Sequence, residues 1–169
     1  EIMFNKTYPY RSSLSTSVKN HFKYLSKIIK KNYLHKKILE IGSNDGTFAK
    51  NFSKNEITCV EPCYDVGNAL KKKGFRVYLR YFDDVLVKLL SKNSHKFDLI
   101  FSANTITHID KIHEVLANIK KILSEEGVFI LEEPSFLECY KKNAFDQFYN
   151  EHIYVLSTIA LKNLLDKAN

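Results

Sequence analysis

Two parts of the sequence carry residue types that could do chemistry. The first is Glu40-Ile41-Gly42-Ser43-Asn44-Asp45-Gly46, at the end of a short apolar run. Gly42 has no Cβ, so the backbone there can turn tightly and let a ligand approach. Gly46 leads toward an expected helix whose free N–H groups favour an anionic group such as a carboxylate. Glu61 stands 19 residues beyond Gly42, at the end of the next apolar run. A carboxylate in that place can accept hydrogen bonds from both hydroxyls of an adenosine ribose. Together these residues fit an adenosine cofactor, either NAD or S-adenosylmethionine. The spacing is not GxGxxG, and Asp45 would repel a pyrophosphate, which favours S-adenosylmethionine. The second part is Tyr149-Asn150-Glu151-His152, which puts a phenol, a carboxylate and an imidazole within four positions. On its own such a string is an ordinary solvated turn with a packed tyrosine. Asp83, in Phe82-Asp83-Asp84, either faces an adenine amino group or caps the helix that follows. His95 and His113 read as surface residues.

Elements must bring these residues together, and the pattern that could do so is an alternation. Lys37–Ile41, Ile57–Glu61, Phe75–Leu79, Phe97–Ser102 and Val128–Leu131 read as short apolar strands. Between them fall a helix beginning near Thr47, helices over Asp65–Lys73 and Asp83–Leu90, and a helix capped by Asp110. Gly127 is expected to end the turn after that last helix. An earlier helix starts from Ser17, with Ser15 or Ser17 as its cap. After Pro134 a short helix over Ser135–Lys142, an aromatic segment and a last helix from about Ser157 follow. The expected fold is α/β: a Rossmann-like, doubly wound, mostly parallel sheet with helices on both faces and an N-terminal helix in front. Such a sheet binds ligands outside the carboxyl ends of its strands, where loops after strands four and five can converge. Residues 1–16 read as a leader and 17–169 as one core.

Composition narrows the class. The chain has 169 residues, 44% hydrophobic and 27% charged, which suits one globular domain with a real core. No apolar run approaches the roughly 20 residues needed to cross a bilayer. The net charge of +7 comes almost wholly from scattered lysines, with clusters at Lys30–Lys31, Lys36–Lys37 and Lys71–Lys73. Arg11, Arg76 and Arg80 are the arginines, so an interleaved arginine and aromatic face for nucleic acid is not expected. Cys59, Cys63 and Cys139 form no CxxC pair, which argues against a disulfide framework or a zinc site in this chain. A cytoplasmic setting is expected.

The string "EIGSNDGTF" followed by "CVEP" resembles the class I S-adenosylmethionine-dependent methyltransferases. More narrowly it is similar to the sugar C-methyltransferases that act on nucleotide-linked 4-keto-deoxysugars. "YPYRSSLS" (8–15) is similar to that family's linker, and "NTITHI" (104–109) to its Asn-x-x-x-His segment. "FDQFYNEHIYVLS" (145–157) looks like its "FDxxYxEHxxxxS" element, with Asn150 where many relatives have histidine. The resemblance implies N-terminal zinc-binding and C-terminal domains outside these residues, so the chain is read as the central core of a longer protein.

Carbon methylation beside a ketone requires removal of a proton and stabilisation of an enolate. The resemblance implies that Tyr149, Glu151 and His152 belong to the active site. His152 is assigned as the base, Glu151 as its orienter, Tyr149 as a donor to the enolate oxygen and His108 as an auxiliary. The expected cofactor residues are Gly42, Ser43, Asn44, Asp45, Gly46, Glu61, Asp83 and Asn104. The expected partner is a nucleotide-linked sugar or another small molecule, with neither nucleic acid nor membrane, and the oligomeric state is left open. Methylation of oxygen or nitrogen, or a non-catalytic cofactor-binding scaffold, are the rival readings.

Overall fold

The computed structural model describes Phe4 and residues 8–33, 37–92 and 96–168. Lys36 and His95 lie outside the described residues, as do 1–3 and 5–7 of the leader.

Among the described residues five strands form a single sheet: β1 (Ile38–Ile41), β2 (Ile57–Val60), β3 (Arg76–Tyr78), β4 (Phe97–Ala103) and β5 (Leu123–Glu132). Their order is β3-β2-β1-β4-β5, and every pairing is parallel. β1 pairs Ile38 with Ile57 on one side and with Leu99 on the other. The chain winds outward to β3 and then crosses back to lay β4 beside β1. That reversal opens a crevice at the carboxyl ends of β1 and β4.

Helices cover both faces because successive strand side chains point to opposite sides. On one face Ile38, Cys59 and Phe101 pack with Phe22 and Ile29 of α1 (Thr16–Asn32) and Leu70 of α2 (Tyr64–Lys72). On the other, Leu39, Ile41 and Ile100 meet Leu86 and Leu90 of α3 (Asp84–Lys92) and Leu116 and Ile119 of α4 (Ile112–Ile122). Leu164 and Leu165 of the last helix complete that face. Each fully buried aliphatic or aromatic side chain contributes about 2 kcal/mol by transfer from water. After β5 come the short helix α5 (Phe136–Lys141) and the helix α6 (Thr158–Ala168). Among the described residues no helix is long and apolar enough to cross a membrane.

Three local expectations differ from the structure. The helix expected near Thr47 is only a 3-10 turn, Ala49–Asn51. The Asn51 side chain donates back to the carbonyls of Thr47 and Phe48, at 3.1 and 3.0 Å, and so competes with further helical bonding. No long helix N-terminus therefore faces the crevice at Gly46. Asp110 does not cap α4. The cap position is Lys111, without a side-chain hydrogen bond, and the Asp110 carbonyl instead accepts the Tyr154 hydroxyl. Gly127 lies inside β5, where the register slips: Phe97 faces Leu123, but Leu99 faces Val128. The α1 cap is Ser15, whose Oγ accepts from the Val18 N–H at 3.3 Å.

Candidate active site

A cavity of about 270 Å³ occupies the crevice. Its lining includes Gly42, Ser43, Asn44, Glu61, Asn104 and His108 from the sequence-expected set. The turn after β1 has its left-handed residues at Gly42 (φ +75°), Asn44 (φ 47°) and Gly46 (φ +76°). A Cβ on Gly42 would lie 2.1 Å from Thr105 Oγ1 of the loop after β4, so only glycine lets the two loops approach.

Glu61 organises that turn. Its Oε2 accepts from the Asn44 N–H at 2.7 Å, and its Oε1 accepts from the Cys63 N–H at 2.8 Å. Burial raises its pKa, and those two backbone N–H groups pull the other way. Burial also pushes the Cys63 thiol up to about 12 and raises Cys59, so neither offers a thiolate nucleophile near neutral pH.

Asn44 and Asp45 face the leader. Asn44 Oδ1 accepts from the Ser12 N–H at 3.1 Å, and Asn44 Nδ2 donates to the Tyr10 carbonyl at 3.1 Å. Asp45 Oδ2 accepts from the Ser13 N–H at 3.1 Å, and its Oδ1 from the Thr47 hydroxyl at 2.7 Å. Burial alone would raise the Asp45 carboxyl, but the bonds from Ser13 and Thr47 hold it below its ordinary range. Arg11 donates to the carbonyls of Tyr8 and Tyr10 and stiffens the segment internally. The stretch 8–13 is thereby a strap laid across the cavity mouth, with Tyr8, Tyr10 and Ser12 in the lining.

The strap also reaches the second group. The Tyr8 hydroxyl donates to Glu151 Oε2 at 2.9 Å. The Glu151 carbonyl accepts from His108 Nδ1 at 2.6 Å, and the Gln147 carbonyl accepts from His152 Nδ1 at 2.8 Å. A carbonyl can only accept, so both neutral imidazoles carry their proton on Nδ1 and present Nε2 as the basic nitrogen. The two rings stand 4.9 Å apart between centroids. The Tyr149 hydroxyl donates to His152 Nε2 at 3.2 Å. Burial, then the Glu151 carboxylate, raises the Tyr8 and Tyr149 phenols, so both remain donors. His108 lines the cavity, whereas Tyr149, Glu151 and His152 form a rim beside it. The Glu151 carboxylate engages Tyr8 rather than His152.

Asp45, Gly46 and Asp83 do not line the cavity. Asp83 Oδ1 accepts from the Leu86 N–H at 2.8 Å and caps α3, while its neighbour Phe82 lines the cavity. Two acids to which the sequence reading gave no role stand out. Glu133 is half-buried after β5 and accepts from Thr105 N–H (3.0 Å), Ile106 N–H (2.7 Å) and the Thr107 hydroxyl (2.8 Å). The Thr107 carbonyl then accepts from the Ile153 N–H at 2.9 Å, so Glu133 indirectly fixes the position of the His152 segment. Glu40 is the other; its signal was an acid inside the otherwise apolar strand ILEI. Among the described residues no cluster of His, Cys, Asp or Glu could hold a metal ion.

Comparison with known proteins agrees with this geometry. A family described as "Methyltransferase domain" matches residues 11–169. The chain is 25% identical over 131 residues to the C-methyltransferase NovU of Streptomyces niveus, covering 76% of this chain and 31% of that protein. It thus spans about a third of the length of that relative. A solved SAM-dependent methyltransferase of Thermotoga maritima superposes with a TM-score of 0.62 at 27% identity, covering 89% of this chain and 72% of that one. Another, from Archaeoglobus fulgidus, shares the fold with a TM-score of 0.64 at 18% identity, over 88% of this chain and 68% of that one. The chain belongs to the S-adenosylmethionine-dependent methyltransferase domain family.

Proposed function

We propose that this domain methylates carbon beside the ketone of a nucleotide-linked keto-deoxysugar. The observation that carries the reading is the pair of imidazoles beside the cavity, both with Nε2 as the basic nitrogen and with two phenols close by. Support also comes from the similarity to a C-methyltransferase.

The cavity fits the cofactor chemically. Gly42 leaves a space that a Cβ would fill, Glu61 brings a fixed carboxylate, and Glu40 Oε2 is a buried acceptor without a partner among the described residues. Gly42, Ser43, Asn44, Glu61 and Asn104 would hold it, with Asp45 and Gly46 shaping the loop and Asp83 anchoring α3 below. S-adenosylmethionine, when bound, supplies an electrophilic methyl group. His152 takes the proton from the carbon next to the ketone at Nε2, and the C–H electron pair passes into the enolate. Tyr149 turns its hydroxyl from Nε2 toward the enolate oxygen. His108 lies on the cavity side of His152 and lends a second basic nitrogen. Glu151 positions Tyr8 and His108.

The test is methyl transfer to a nucleotide-linked 4-keto-deoxysugar in deuterated water, followed by NMR. The wild type is expected to exchange the proton beside the ketone and to place the methyl on that carbon. His152→Ala is expected to lose both, by a factor of about 10² or more. Methyl arriving on oxygen or nitrogen, or undiminished exchange in His152→Ala, would sink the reading. Nitrogen transfer is a live outcome, because the Thermotoga maritima protein is described as a possible histamine N-methyltransferase.

A further inference from the structure

Every strand pairing is parallel, so the strands all begin at one edge of the sheet, opposite the crevice. A helix that leads into a strand ends at that same edge. Lysines that look scattered along the chain are gathered there by this topology. Lys30 and Lys31 lie in the last turn of α1, and Lys71 and Lys72 in that of α2, with Lys73 next. Lys37 stands immediately before β1, and Lys54 in the turn that leads to β2. Contacts join these places. The Lys30 ammonium donates to the Asn51 carbonyl and lies 5.3 Å from the centre of the Phe52 ring. The Lys54 ammonium lies 5.8 Å from the centre of the Phe75 ring, beside Gly74 and hence the end of α2.

These lysines are all exposed, and among the described residues none of them forms a salt bridge. The neighbouring acids are Glu56, which accepts the Ser53 N–H at 3.0 Å, and Asp98, which accepts the Lys37 N–H at 2.9 Å and the Ser124 hydroxyl at 3.2 Å. Glu125 and Glu126 stand at the far end, in β5. The part of the edge under β3, β2 and β1 is therefore cationic. A cation at a helix C-terminus complements the helix dipole, which accounts for Lys30, Lys31, Lys71 and Lys72 but not for Lys37 and Lys54. Arg76, at the start of β3, is the arginine of this part, and no exposed large apolar side chain among the described residues lies on it. A protein partner calls for aromatic and arginine anchors in a surface poor in lysine. Single-stranded nucleic acid calls for stacking rings. An anionic bilayer needs neither, because clustered lysines meet its many phosphates as separate point charges.

We propose that this edge docks the domain on a membrane surface rich in anionic phospholipid, by attraction between lysine and phosphate and without insertion. The crevice, on the opposite edge, then stays open to solvent. Such contact needs no spanning helix, and it departs from the sequence expectation of no membrane partner.

Co-sedimentation with sucrose-loaded vesicles tests it. At about 0.1 M salt the chain is expected to pellet with phosphatidylcholine vesicles that contain about a quarter phosphatidylglycerol, and not with phosphatidylcholine alone. At about 1 M salt, where the screening length is about 3 Å, it is expected to be released. Lys54→Gln, Lys72→Gln and Lys73→Gln combined should weaken binding at least about tenfold with an unchanged circular dichroism spectrum. Lys111→Gln, Lys141→Gln and Lys142→Gln combined remove the same charge elsewhere and should weaken it less than about twofold. Acetylation footprinting of the wild type decides if the first variant does not fold: the mixed vesicles should shield Lys54 and Lys71–Lys73 and leave Lys141 and Lys142 reactive. No binding to either vesicle, equal binding to both, binding that survives high salt, or equal losses in the two triple variants would overturn the inference. So would single-stranded RNA bound more tightly than the vesicles and lost in the first variant, which assigns the edge to nucleic acid.

Discussion

Glu61 does two things with one carboxylate. It accepts one backbone N–H on each oxygen, which holds Asn44 in its left-handed conformation and fixes the start of the stretch after β2. A carboxylate oxygen has a second lone pair beyond its backbone bond. Although the Cys63 thiol also bonds this carboxylate, a ribose hydroxyl can be met without giving up either backbone bond. The alanine variant strips both N–H groups of their acceptor and removes the ribose partner, whereas glutamine keeps one acceptor oxygen. Glu61→Ala is therefore expected to weaken S-adenosylhomocysteine by at least about tenfold, equivalent to about 1.4 kcal/mol, with Glu61→Gln in between. Calorimetric titration of the three proteins measures this. Wild-type affinity in Glu61→Ala would remove Glu61 from the site.

Elements show what a sequence can and cannot reveal. Parallel strands buried on both faces read as short apolar runs, so β1, β2 and β4 were legible, as were α2 and α3 between β2 and β4. The strap was not. Residues 8–13 have no periodicity, because their order comes from Asn44, Asp45 and Glu151, more than 30 positions away. The 3-10 turn after Gly46 was equally hidden, since the Asn51 side chain decides it locally against the helical pattern. The clearest dependence of one element on another is at Glu133, which ties the loop after β4 to the end of β5 and carries His108 and the His152 segment with it. Glu133→Ala leaves three donors without their acceptor. It is expected to lower the unfolding free energy by about 3 kcal/mol or more, at about 1–3 kcal/mol for each of the three donors left unpaired. Denaturant unfolding gives the cost, and hydrogen exchange at Thr105, Ile106 and Ile153 locates it. Unchanged exchange at those amides would show that the loop stands without Glu133.

For the molecule as a whole, the buried and half-buried acids set the response to pH. Glu40, Glu61 and Glu133 all have carboxyl groups raised by burial, Glu40 most clearly. A folded-state pKa raised above its unfolded value contributes stability that is fully present below the unfolded value. That stability is lost as pH rises through the folded value. Asp45 is lowered and works in the opposite sense, but its contribution is lost only as pH falls through that lowered value, in more acidic solution. Stability is thus expected to fall as pH rises from mildly acidic toward alkaline. The net charge of +7 adds a background that also changes with pH, so the wild type alone does not isolate the acids. Glu40→Gln does isolate the largest of them, because glutamine has nearly the shape of the protonated acid and does not ionise. The variant is expected to track the wild type below the ordinary glutamate value of 4.5 and to exceed it progressively as the pH rises above it, while the shared background cancels. Urea unfolding midpoints of both proteins across that range supply the comparison. Curves that stay parallel would mean that Glu40 already bears its charge in the folded domain, held by a cation that the structure does not place beside it.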